Sequence, residues 1–267
     1  MTSRNVRFLV SYDGSRFFGW QRQDGFESVQ EAIEDGLEAL TGDKVVVHGA
    51  GRTDTGVHAL GQVAHAHVDT DLTDHRLCHA LNAHLPEGVT VRRAETAPPG
   101  FHARFDATGK RYLYVVATTP FRPPFARDLC HWTREPLDLA RLRQALPHFT
   151  GEQDFSALAS AGSPRESNVR RLREIRLVAR RDRFALVVQG NGFLYNMVRA
   201  IAGTLLDVGR GRIEPGAVRE ILDSKDRKQA GPTAPACGLW LLRVGYPEPV
   251  FPGRLRGPRG PSGLFDY

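Results

Sequence analysis

Ser28-Val29-Gln30-Glu31-Ala32-Ile33-Glu34-Asp35-Gly36-Leu37-Glu38-Ala39-Leu40 is the stretch from which the fold is read. A serine followed three residues later by a glutamate is a capping-box signature that opens a helix. Val29, Ala32, Ile33, Leu37 and Leu40 then recur at helical spacing and supply one apolar face. Upstream, Val6, Phe8, Val10 and Tyr12 alternate with period two, which predicts a strand and completes a first βα unit. Outward from it, strands are expected near 45–48 and 62–69, a helix near 74–84 with Leu77 and Leu81 inward, and a strand near 89–95. The order is β-α-β-β-α-β.

The second half repeats that order without repeating the sequence. A strand is expected near 111–118, a Pro-rich loop at 120–124 and a helix near 137–149. Strands follow near 170–178 and 184–189, helices near 194–208 and 215–224, and a last strand near 238–244. The predicted fold class is α+β: two ferredoxin-like halves whose sheets join into a long central mixed or antiparallel sheet flanked by helices, with a cleft between the halves. The expected division is 1–106, 107–247 and a tail at 248–267, where Pro, Gly and Arg replace the apolar residues needed to order a segment by itself.

With 267 residues, 41% of them hydrophobic, the chain is long enough for one large core or two modest ones. Its formal charge of +6 favours a polyanionic partner, although a solvated basic surface has the same composition. Seven arginines, at 170, 171, 173, 176, 180, 181 and 183, crowd the span from Arg165 to Arg183 and offer forks suited to phosphate. Cys78, Cys130 and Cys237 are odd in number and form no CxxC pair, which argues against a disulfide framework or a cysteine zinc site and for reduced thiols in a cytoplasm. The start has no signal-peptide core, and no apolar run is long enough to span a bilayer, so a soluble protein with no membrane partner is expected.

Gly49-Ala50-Gly51-Arg52-Thr53-Asp54-Thr55-Gly56-Val57-His58 packs an arginine, a carboxylate and a histidine among three glycines after a β-branched run. Read from residue types alone, it is either an active-site loop at a strand end or a Gly-rich connection in which Asp54 caps its own backbone. Phe17, Phe18 and Trp20 mix with Arg16 and Arg22 in the first loop, as an RNA-contacting loop or as a lid over the core. His65 and His67 share a strand face and His75 and His79 a helix face, but no HExxH accompanies them and no metal is expected. No P-loop or dinucleotide fingerprint occurs, so no cofactor is expected.

The run from Gly51 to His58 resembles the catalytic motif of the tRNA pseudouridine synthase A family, Gly-Arg-Thr-Asp, one variable residue, then Gly-Val-His. Further matches are Tyr12-Asp13-Gly14 through Gln23, Ser28-Val29-Gln30, Phe101-His102-Ala103-Arg104-Phe105, Lys110-Arg111-Tyr112-x-Tyr114, Phe193 to Arg199, and Thr233 to Leu239. The resemblance covers all but about the last twenty residues. It implies an enzyme that isomerises uridine to pseudouridine at positions 38, 39 and 40 of the tRNA anticodon stem-loop, working as a homodimer. Asp54 would be the catalytic carboxylate, Arg199 its paired cation and Tyr112 the active-site ring. Arg52 would fill the gap left by an extruded nucleotide, and Leu239 would pack beside the base. Arg104 is a further candidate RNA contact, and His58 is either an RNA contact or, as a loop histidine more often is, a local hydrogen-bonding group. Whether Asp54 attacks the sugar, attacks the base or removes a ribose proton stays open. A non-catalytic RNA-binding module and a metal-dependent hydrolase are the competing classes.

Overall fold

The computed structural model describes residues 3–160 and 167–251, so Arg165 and most of the Pro/Gly/Arg-rich tail lie outside the described residues. The chain divides into two compact units. One comprises Met1–Thr55, Ala59–Ala107 and the described part of Val244–Tyr267, and the other Gly56–His58 with Thr108–Arg243.

In the first unit the order is β1 (Ser3–Tyr12), α1 (Val29–Thr41), β2 (His48–Gly49), β3 (His58–Asp69), α2 (Asp74–His84) and β4 (Val89–Thr96). The strands lie in the order β4-β1-β3, with β2 on β3, and every pairing is antiparallel. This is the ferredoxin-like arrangement expected from the pattern. Ser28 caps α1 by accepting a hydrogen bond from the Glu31 amide at 3.2 Å. Gly42, at φ +82°, ends the helix in the left-handed conformation that glycine adopts without penalty. Val29, Ile33 and Leu37 of α1 and Leu77 and Leu81 of α2 are fully buried. Truncating one of these side chains to alanine costs about 2–5 kcal/mol through lost transfer energy and the cavity left behind.

The strand expected near 45–48 is shorter and later, only His48–Gly49. The amide of Val47 donates to the Glu34 carboxylate at 2.9 Å instead of joining a ladder, and Val46 points to solvent, 61% exposed. A β-branched run had the right propensity, but a buried carboxylate on the neighbouring helix took its backbone donor.

The second unit holds β5 (Gly109–Ala117), β6 (His131–Trp132), α3 (Leu139–Ala145), β7 (Gly151–Asp154), β8 (Val169–Ala179), β9 (Arg183–Gly190), α4 (Met197–Gly209), α5 (Ala217–Ser224) and all but the last two residues of β10 (Leu239–Gly245). Its strand order, β10-β5-β9-β8-β7, repeats the ferredoxin-like arrangement with β7 added at the edge and β6 paired parallel to β5. Helix α4 is buried almost all round. A methyl group on Gly203 would overlap the Pro232 carbonyl oxygen, so the 231–234 segment lies directly on this helix. The Gly231 amide there donates to Thr204 Oγ1 at 3.1 Å.

Candidate active site

In the first unit the Gly-rich turn is held from several sides. The Ala50 amide donates to the Val63 carbonyl at 2.7 Å, and buried Gln62 donates to the Gly51 carbonyl at 2.7 Å. Thr53 shares a 2.8 Å hydrogen bond between its hydroxyl and that of Tyr12, and its carbonyl accepts from the Trp20 amide at 3.0 Å. Gly19, at φ +86°, passes so close that a methyl group there would strike the Thr53 carbonyl and the Asp54 backbone. A methyl group on Gly49 would enter the indole of Trp20, itself 2% exposed. Asp54 is thus half-buried on a backbone fixed by its neighbours, while Arg52 projects to solvent.

The rings of the first loop divide between core and surface. Phe17 and Trp20 are core, whereas Phe18 is half exposed and rests on Phe26 with centroids 4.4 Å apart. Arg16 pairs with Glu87 at 2.9 Å and Arg22 with Glu34 at 2.9 Å, so both cations are engaged with carboxylates of their own unit.

The chain passes into the second unit at Gly56 and returns at Ala59. His58 is fully buried. Its Nε2 lies 2.8 Å from the Asp128 carbonyl, to which it donates, and its ring stacks on Trp240 at 4.2 Å and 22°. The Trp240 indole in turn donates to the Leu129 carbonyl at 3.1 Å. An imidazole with no solvent-exposed surface anchors the turn, the local hydrogen-bonding role that was the alternative to an RNA contact.

Tyr112 on β5 is 8% exposed, with its ring edge against Phe193 at 5.1 Å and 85°. Leu239, the first residue of β10, is 7% exposed. Arg199, in the first turn of α4, donates from Nε to the Ala234 carbonyl at 2.7 Å and from Nη1 to Asn196 Oδ1 at 2.9 Å. Ala234 returns a backbone bond to the Arg199 carbonyl at 3.1 Å. The Tyr114 hydroxyl donates to the adjacent Pro235 carbonyl at 3.0 Å, and burial holds its pKa well above the ordinary tyrosine range. The Tyr112-x-Tyr114, Arg199 and Ala234-Pro235 stretches are thus brought to one strand-and-helix neighbourhood. Asn196 is at φ 59°, a left-handed residue whose side chain orients the arginine.

Arg104 is exposed, its guanidinium 5.8 Å from the ring of Phe105, which is 75% exposed and stacks on His102 at 4.1 Å. His102 belongs to a cluster with His48 and His65, with ring centroids 4.6–5.6 Å apart. Burial first, then the neighbouring His102 and His48, lowers the His65 pKa to about 4. The Ala103 amide donates to its Nδ1 at 3.2 Å, which requires that nitrogen to be unprotonated. No group of three or more His, Cys, Asp or Glu side chains able to hold a metal occurs among the described residues. No helix among them is long and apolar enough to cross a membrane.

Of the basic residues on β8, Arg176 pairs with Glu174 at 2.7 Å. Arg171 and Arg173 are exposed and line, with Thr150, Gly151 and Leu172, an open groove of about 470 Å³. A register shift between Leu172 and Glu174 takes Arg173 out of the ladder with β9.

A family model described as tRNA pseudouridine synthase matches residues 8–106 and 145–247. A tRNA pseudouridine synthase A of Acetivibrio thermocellus is 40% identical over 243 residues, 91% of this chain and all of that one. The protein of that name from Thermoanaerobacter sp. is 41% identical over the same shares. The one from Neisseria gonorrhoeae is 41% identical over 92% of this chain and 94% of its own. Among solved structures, a chain in the crystal structure of a Cbf5-Nop10-Gar1 complex is similar at a TM-score of 0.36 and 12% identity, over 76% of this chain and 45% of that one.

Proposed function

From the chain's membership of the tRNA pseudouridine synthase family, isomerases of uridine in tRNA, we propose that it acts on uridines 38, 39 and 40 of the anticodon stem-loop with Asp54 as the catalytic carboxylate. The observation that carries this is the turn itself. Four separate backbone and side-chain contacts hold Thr53 and its neighbours, so the carboxylate of the next residue is presented from a fixed position.

The reaction breaks the N1–C1′ bond, turns the uracil and joins C5 to C1′, releasing the C5 proton while N1 gains one. Atoms and electrons balance without an outside oxidant or reductant. An ionised aspartate is suited to starting it, by attack on carbon or by taking a proton. A stacked, paired uridine hides both N1 and C5, so the nucleotide must leave the stem at a cost of a few kcal/mol. In this reading exposed Arg52 occupies the gap, Tyr112 stacks on the uracil and Leu239 packs beside it. Arg199, oriented by Ala234 and Asn196, supplies positive charge. The exposed arginines of β8 and Arg104 hold phosphates, residues 1–106 supply the aspartate, and 107–247 complete the site. The resemblance to the synthase A family supports a cytoplasmic homodimer, which sedimentation of the purified protein checks.

The test is tritium release. Transcripts carrying C5-tritiated uridine at 38, 39 or 40 lose the label to water when the new carbon–carbon bond forms. Retention of label at all three positions, with release elsewhere in the tRNA, overturns the site assignment.

A further inference from the structure

The segment between β5 and β6 carries the two most exposed large apolar side chains among the described residues, Phe121 at 85% and Phe125 at 98%. They sit in Pro120-Phe121-Arg122-Pro123-Pro124-Phe125-Ala126-Arg127, where three prolines limit the backbone and a 3₁₀ turn spans Pro124–Ala126. The loop is closed by its own contacts. Thr119 Oγ1 donates to the Phe121 carbonyl at 2.7 Å, Arg122 to the Arg127 carbonyl at 3.1 Å, and the Trp132 indole to the Thr119 carbonyl at 2.9 Å. Both rings are therefore held outward by a braced loop. The side chains of Arg122 and Arg127 are 52% and 67% exposed and share one carboxylate, Asp128, at 4.0 and 3.6 Å, which leaves the loop one net positive charge.

The far end of the same loop is fastened to the catalytic motif. His58 donates to the Asp128 carbonyl and Trp240 to the Leu129 carbonyl, so the arm that bears the two rings grows from the buried His58–Trp240 stack. Flat rings interleaved with guanidinium groups are the chemistry that binds unpaired bases and their phosphates, since every base has a face to stack and every nucleotide a negative charge.

We propose that Phe121 and Phe125, with Arg122 and Arg127, form a second RNA-contacting surface that stacks on unpaired bases of the tRNA outside the reacting nucleotide. The proposal rests on tRNA being the substrate. It commits to RNA over a second copy of this chain because the exposed rings are flanked by two largely exposed guanidinium groups that share a single carboxylate, and the positive charge left over complements a polyanion.

The experiment compares the full chain with the double variants Phe121→Ala/Phe125→Ala and Phe121→Trp/Phe125→Trp. Affinity for an unmodified tRNA transcript is measured at fixed salt, together with sedimentation and the single-turnover rate at saturating tRNA. The alanine variant is expected to bind at least roughly 25-fold more weakly, given roughly five- to 160-fold per lost stacking ring. The tryptophan variant restores affinity, the saturated rate stays within about twofold, and sedimentation is unchanged. Unaltered affinity of the alanine variant overturns the proposal. So does altered sedimentation, which would assign the rings to contact between copies of the chain. If the parent binds tRNA but releases no C5 tritium, the isomerase reading fails while the loop is still judged by affinity alone.

Discussion

Asp54 and His58 stand four residues apart in one motif and do opposite things. The aspartate is half-buried on a fixed turn; the histidine is fully buried and engaged with Asp128 and Trp240. Asp54→Asn keeps the size of the side chain but removes its charge. We expect tRNA binding to persist in a gel shift while C5 tritium release falls by at least about a thousandfold. Turnover within tenfold of the parent would remove Asp54 from the chemistry. For His58→Phe, the stack on Trp240 is kept and the donor to the Asp128 carbonyl is lost. A buried carbonyl left unpaired costs about 1–3 kcal/mol, so Tm should drop by roughly 3–10 °C with tRNA affinity retained. Weaker binding at unchanged Tm would restore the RNA-contact alternative. Asp54, Tyr112 and Arg199 could be singled out as candidates because their residue types recur in a known order. Asp128, whose carbonyl accepts from the buried His58, could not, because it is an ordinary loop residue whose role arises only from folding.

Elements with a strong period were read correctly and short ones were missed. Helix α1 announced itself by Ser28, Glu31 and its apolar stripe, and the Ser28 cap is present. Strands β6 and β7, of two and four residues, carry too little alternation to register, and β2 lost Val45–Val47 to the Glu34 carboxylate. Packing between elements supplies two tests. Gly203→Ala drives a methyl group into the Pro232 carbonyl and displaces the segment whose Ala234 carbonyl orients Arg199. Overpacking of this kind costs about 1–3 kcal/mol, so lower Tm together with slower single turnover is expected. Normal turnover despite the lower Tm would show that Arg199 does not depend on this seat.

The histidine cluster supplies the second. His65 has a folded pKa of about 4 against an ordinary 6.5, so the unfolded chain takes up its proton first. Stability is then unaffected above pH 6.5 and declines as pH falls from 6.5 toward 4, by on the order of 2 kcal/mol from this group. His102 and His131, also lowered chiefly by burial, act in the same sense. His65→Gln keeps an acceptor for the Ala103 amide and cannot titrate, so it should flatten the fall in Tm between pH 7 and pH 4.5. An unchanged slope would assign acid sensitivity to other groups.

At the scale of the whole molecule, the α+β class and the two β-α-β-β-α-β patterns were legible because hydrophobic period survives without tertiary information. Charge was legible only as a sum. The formal +6 does not say which arginines are engaged within the protein; Arg22, Arg111 and Arg176 turn out to hold carboxylates, whereas Arg171 and Arg173 open onto a groove. If that groove takes backbone phosphates of the tRNA, its contribution is a release of counterions and is blind to base identity. Each lost phosphate contact lowers the slope of log affinity against log salt by about 0.7–0.9. The double variant Arg171→Ala/Arg173→Ala should therefore bind different tRNA transcripts more weakly by the same factor and reduce that slope by roughly one and a half. Its tritium release at saturating tRNA should equal the parent's, because a contact made only to backbone phosphates contributes to binding and not to the bond-breaking step. A slope identical to the parent's would show that these two guanidinium groups face solvent without meeting RNA. A loss confined to some transcripts would mean that they read bases or shape instead of charge.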